Sequence, residues 1–130
     1  MPDRVSFDYA VVRLVPRVDR EEFLNVGVIL SCPAHRFLDA RFEVDEARLE
    51  AFAPGLDPLE VREWLEPISL ICHGEERAGP IGRLPQRQRF HWLVAPRSTV
   101  VQTSPVHTGL CEDPAAELEH LLSCMVRLPK

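Results

Sequence analysis

The chain has 130 residues, 45% of them hydrophobic, and carries a formal charge of −5 with a pI near 5.5. That size fits a single domain, residues 1–130, with one real core, and the composition excludes a disordered chain. The apolar runs fall far short of the ~20 residues that span a bilayer, and Met1-Pro2-Asp3-Arg4 leads into Val5-Ser6-Phe7 without a basic-then-apolar leader pattern, so a cytoplasmic location and no membrane are expected.

Residues 5–15 are rich in aromatic and β-branched side chains and predict a strand that is apolar on both faces, ended by Pro16. A charged loop or short helix follows at residues 17–22, then a second strand over 25–32 and a turn at Cys32-Pro33-Ala34-His35. Residues 36–44 alternate, with Leu38, Ala40, Phe42 and Val44 facing one way and Asp39, Arg41 and Glu43 the other, which predicts a half-exposed strand.

The period then changes. Asp45 caps a short helix that ends before Pro54-Gly55, and Asp57-Pro58 opens a second helix. Its apolar stripe is Val61, Trp64, Leu65, Ile68, Ile71 and Cys72; Pro67 should kink or split it, and Gly74 should stop it. Residues 75–89 read as a long loop, 90–95 and 99–103 as two strands joined by a turn at Pro96-Arg97-Ser98, and 104–113 as another loop. Asp113-Pro114 opens a last helix that buries Leu118, Leu121, Leu122, Met125 and Val126. The expected fold class is α+β: a mainly antiparallel sheet of about five strands with helices packed on it, in the order β-β-β-α-α-β-β-α.

Charge is uneven. From Arg77 to Cys111 there are five arginines and no carboxylate, so against a whole-chain charge of −5 the rest carries −10. An anionic small molecule or phosphate-bearing ligand for this segment is one reading, and pairing of its arginines with the acidic helices is the other. The polar groups concentrate at residues 89–109. Gln102 sits in an apolar strand, where it needs hydrogen-bond partners; Arg97 at a turn suits a two-pronged contact with a carboxylate or phosphate; Ser98, Ser104 and Thr108 add hydroxyls, and His107 titrates near neutrality. A second cluster holds Arg17, Arg20, Glu21, Glu22 and Asn25-Val26-Gly27. The expected ligand-binding set is Arg20, Asn25, Arg97, Ser98, Gln102, Ser104 and His107, with Arg97 in one concave site rather than paired with an acidic helix.

Phosphate-cradling glycine loops and the nucleophile elbow are absent from the sequence, and no cofactor is expected. Cys32, Cys72, Cys111 and Cys124 form no close-spaced pair and read as free thiols, three of them in apolar stretches. A zinc site from Cys32, His35, His107 and Cys111 has tolerable spacing within each half, but chance produces such spacing readily, and no metal is expected. Nucleic acid is disfavoured by the acidic balance and the single lysine, although Arg87, Arg89, Phe90 and Trp92 interleave charge with rings.

Residues 9–17 (YAVVRLVPR), 20–30 (REEFLNVGVIL), 79–82 (GPIG) and above all 89–109 resemble the bacterial Domain of Unknown Function family 3037 across nearly the whole chain. The resemblance implies no assigned activity. It implies neighbours similar to HipA-type kinases, and so a kinase-like protein partner. Two functions follow as expectations. The first is a binding module for an anionic ligand or such a partner. The second is a small hydrolase or phosphotransfer-type enzyme with His107 as acid/base, Arg97 stabilising negative charge and Glu22 as the carboxylate.

Overall fold

The sheet is built on β1 (Val5–Leu14), whose two apolar faces suit it to a central position. A computed structural model describes residues 3–128. On one side β1 pairs antiparallel with β2 (Leu24–Cys32), which in turn pairs with β3 (Phe37–Phe42). On its other side two short strands share the same edge. Leu14 to Val12 pair with β4 (Val101–Thr103), and Tyr9 to Val5 pair with β5 (His107–Cys111). Among the described residues the helices are α1 (Glu46–Phe52), α2 (Pro58–His73), α3 (Gln86–Val94) and α4 (Pro114–Met125), and a 3-10 segment, Glu76–Arg83, leads from α2 to α3.

The two faces of the sheet carry separate cores. One holds Val12, Leu14, Ile29 and Ala40 of the strands with Leu49, Val61, Leu65, Phe90 and Leu93 of the first three helices. The other holds Phe7, Val28 and Leu30 with Leu118, Leu121 and Leu122 of α4. The alternation of β2 breaks in its middle: Val12 faces Gly27, but Arg13 faces Asn25, so Val26 is an extra residue. This bulge lets Leu24 and Val26 join Ile29 in the same core despite the change of parity.

The caps form where the residue types called for them. The Asp45, Asp57 and Asp113 carboxylates accept from Arg48, Leu59 and Ala115 backbone N–H groups, and Gly74 closes α2 in the left-handed region at φ 64°. α2 runs unsplit through Pro67. Two expected core positions stay partly open: Trp64 on α2 and Met125 on α4 are exposed.

The architecture is the α+β sheet with packed helices that the sequence predicts, with three local corrections. Residues 75–89, expected as a long loop, hold the 3-10 segment and the start of α3; the glycines and prolines interrupt the helical backbone at Gly79, φ 69°, without removing it. Residues 90–95 are not a strand. Phe90 and Leu93 are the buried pair, three apart, and the helical period places them together against the larger core, so the segment is the end of α3. Residues 107–111, expected in a loop, are the fifth strand. Their composition is poor for a strand, and the pairing with β1 holds them there. Gly109 is required, since a Cβ would meet the Phe7 ring at 2.8 Å.

A surface network ties α4 to β3. Glu119 accepts from Arg127 and from Arg41, each at 2.7 Å, and Arg127 also donates to Glu43 at 3.0 Å. These donors hold the Glu119 carboxyl below its ordinary range. A carboxyl depressed in the folded state contributes stability above its unfolded pKa and loses it as pH falls through the folded value. Glu119→Gln is therefore expected to lower the melting temperature at neutral pH. Melting curves of the two proteins should converge in strong acid, where Glu119 is protonated in both states.

Cys32, Cys72 and Cys111 are buried, Cys124 is exposed, and all four are free thiols. Burial, and secondarily the Asp39 charge, pushes Cys72 up to about 12; burial, and then neighbouring Cys32, pushes Cys111 up to about 11. The native protein should give one fast equivalent with an aromatic disulfide reagent and four after denaturation. More than one fast equivalent would mean that the fold opens readily around Cys32, Cys72 or Cys111.

Candidate functional site

β1 ends in a charged residue set among apolar ones. Arg13 lies between Val12 and Leu14, opposite Gln102 of β4 and Asn25 of β2. Directly opposed residues of antiparallel strands share a face, so a polar row crosses three strands here. Asn25 donates from Nδ2 to the Met125 carbonyl at 3.0 Å, and Gln102 donates from Nε2 to the Thr99 carbonyl at 2.8 Å. The Arg13 guanidinium lies 4.0 Å from the Phe23 ring centroid. Its Nε and the Asn25 Oδ1 are buried without a partner among the described residues.

The Arg13 side chain borders a cleft of about 300 Å³, also lined by Val15, Val18, Glu21, Phe23, Arg97, Ser98 and Gln102. One wall comes from the loop after β1, where a 3-10 turn, Val18–Arg20, ends in Glu21 with φ 57°. Holding a non-glycine residue in that region costs about 1–2 kcal/mol. The opposite wall is the segment between α3 and β4. Arg97 folds back there onto the end of α3 and donates to the Leu93 and Trp92 carbonyls at 3.1 and 2.7 Å. Its Cζ lies 5.3 Å from the Trp92 ring centroid. A cation here satisfies orphan carbonyls and complements the negative end of the helix dipole.

Among the described residues neither Arg13 nor Arg97 forms an ion pair. Of the other four arginines of the 77–111 segment, Arg83 and Arg87 are exposed, and two are engaged within the fold. Arg77 pairs with Glu66 and Glu75, and Arg89 donates to the Leu84, Ile71 and Cys72 carbonyls, closing the end of α2. The sequence segment of +5 charge is therefore not one basic surface.

Of the residues singled out in the sequence, Arg97, Ser98 and Gln102 share the cleft. Arg20 and Glu22 pair with each other and, with Pro16, Arg17 and Phe52, border a neighbouring hollow of about 270 Å³. Arg17 is itself paired with Asp19 at 3.0 Å, so that hollow is lined by charges already matched. Asn25 belongs to the polar row but is bonded towards α4. Ser104 is buried; its hydroxyl accepts from the Val11 N–H at 2.8 Å and donates to the Pro105 carbonyl at 2.9 Å. His107 is exposed, opposite Tyr9, with the two rings 5.3 Å apart. Four residues of β1 separate Tyr9 from Arg13, about 13 Å along the strand. His107 thus borders neither the cleft nor the Arg20–Glu22 hollow. Cys32 and Cys111 are buried while His35 and His107 are exposed, and no group of three His, Cys, Asp or Glu among the described residues is arranged to hold a metal ion.

Sequence reasoning passed over Arg13 and Phe23, while Glu21, named in the second cluster, lines the cleft. The signal for Arg13 was available: a guanidinium within the apolar run Val11 to Val15 needs a reason to be there.

Compared with known families, residues 9–126 match the model of DUF3037, described as a protein of unknown function. The chain belongs to this family. No curated protein and no solved structure matches it. The DUF3037 match runs from within β1 to the end of α4, so the whole cleft lies inside it. Among the described residues of this DUF3037 chain, no helix is long and apolar enough to cross a membrane.

Proposed function

We propose that this chain is a binding module that holds an anionic group in the cleft between Arg13 and Arg97. The observation that carries the reading is the pair of arginines bordering one cleft without a carboxylate partner among the described residues, beside a hollow whose charges are already paired. Two arginines without an ion-pair partner, against the one carboxylate of Glu21, leave a net positive charge on concave walls, which attracts anions more strongly than matched surface pairs do. Gln102 and Ser98 add neutral hydrogen-bonding groups on the same walls. The volume stands at the lower end of the about 300–1,000 Å³ usual for ligand sites.

The catalytic alternative has less support, because Arg97, His107 and Glu22 lie in three different places. A nucleic-acid partner also has less, since Arg77 and Arg89 are engaged within the fold and a single small cleft offers few phosphate contacts. The kinase-like protein implied by family resemblance is the first partner to test by co-purification.

The test is a backbone amide NMR titration with inorganic phosphate and with acetate. At least one anion should shift the Arg13, Phe23, Ser98 and Gln102 resonances together, and Arg97→Gln should weaken that binding tenfold or more. The same substitution should lower stability by about 1 kcal/mol, because it removes a cation from the end of α3. Saturating anion without shifts at these residues would refute the reading.

A further inference from the structure

The charges on the cleft walls carry more than the sign of the ligand. Arg13 and Arg97 contribute two positive charges and Glu21 one negative charge, so the walls hold a single net positive charge. A monoanion is neutralised there. A phosphate dianion would leave an excess negative charge facing Glu21. The Arg13 guanidinium lies over the Phe23 ring, its Cζ 4.0 Å from the centroid, and the planar guanidinium fork matches the two oxygens of a carboxylate. Besides Ser98 and Gln102, the remaining lining is apolar: Val15, Val18 and Phe23.

Val18 and Phe23 of the cleft are 41% and 44% exposed, and Trp92, under Arg97 of the cleft wall, is 47% exposed. Two exposed aromatic rings, each with an arginine over it, have the composition of the buried centre of a protein–protein interface rather than of ordinary surface. We infer that the cleft takes the C-terminal residue of a partner polypeptide, its free carboxylate on Arg13 with Gln102 beside it and its apolar side chain on Val15, Val18 and Phe23. This rests on the anion-binding reading above and narrows it to one chemistry.

The experiment uses the full chain and four probes: a tetrapeptide ending in leucine with a free carboxylate, the same peptide amidated, hexanoate and inorganic phosphate. Binding is followed by tryptophan fluorescence and by the amide resonances of Arg13, Phe23 and Gln102. The free-acid peptide should bind at these residues, and the amidated one at least tenfold more weakly. Arg13→Lys, which keeps the charge but loses the planar fork, should weaken the free-acid peptide by a similar factor. Hexanoate binding as tightly as the peptide would overturn the polypeptide source. Phosphate binding at the same residues without any effect of the peptide would overturn the carboxylate and leave the anion cleft standing. No shift with any of the four would remove both. The wild-type comparison of acid with amide decides the matter even where the Arg13→Lys protein fails to fold.

Discussion

Gly27→Ala should lower the free energy of unfolding by about 3 kcal/mol, the upper part of the usual range for overpacking. Gly27 sits in the middle of β2 at the bulge, opposite both Val12 of β1 and Phe42 of β3. A Cβ there would fall against the Phe42 ring and 2.7 Å from the Arg41 carbonyl oxygen. A ring can rotate away, but the carbonyl belongs to a paired strand and cannot move without its neighbours. Urea unfolding measures the loss. Phe42→Leu in the same chain should recover only part of it, because the clash with the Arg41 carbonyl persists. A loss well under 1 kcal/mol would mean that β3 slides to make room.

Ser104→Ala should cost about 2 kcal/mol, although the side chain loses only one oxygen. β4 and β5 meet the same edge of β1 with Ser104 between them. Its backbone N–H donates to the Val11 carbonyl at 2.8 Å, and its hydroxyl accepts from the Val11 N–H at 2.8 Å, so the side chain replaces the ladder bond that the break in the strand removes. Alanine would leave the Val11 N–H buried without an acceptor, and an orphaned buried donor carries the full desolvation penalty. Hydrogen exchange at the Val11 amide should quicken in Ser104→Ala relative to its neighbours in β1. Unchanged protection would mean that another acceptor takes over.

Much of the fold was legible because it rests on local periodicity. The paired apolar faces of β1, the alternation of β3, and the aspartate-led starts of α1, α2 and α4 each need only a few consecutive residues to be recognised. Two of the three errors share a cause. Phe90-His91-Trp92-Leu93-Val94 satisfies both a strand and a helix pattern, and only the place of Phe90 and Leu93 in the core decides between them. Residues 107–111 have no strand pattern of their own; their partner in β1 imposes one. The candidate site was half legible for a similar reason. Arg97, Ser98 and Gln102 stood out as polar groups among apolar ones. Arg13 joins them only because β1 and β4 pair in one register, and no local feature of either segment encodes that register. The charge asymmetry was real in the sequence, but Arg89 and Arg97 close the ends of α2 and α3, a use that depends on where those helices stop.

The shared edge of β1 also orders events during synthesis. Val11 waits for Ser104, 93 residues later in the chain, before its amide finds an acceptor. At a bacterial or eukaryotic ribosome making about 5–20 residues per second, that is several seconds to some twenty. Through this interval β1 and β2 are already made, and the edge of β1 that will take β4 and β5 stays open. Open apolar edges template pairing with other chains. Nascent chains stalled or truncated before residue 101 should therefore depend on chaperones more than the full chain, in which β4 and β5 close that edge and α4 covers the second core.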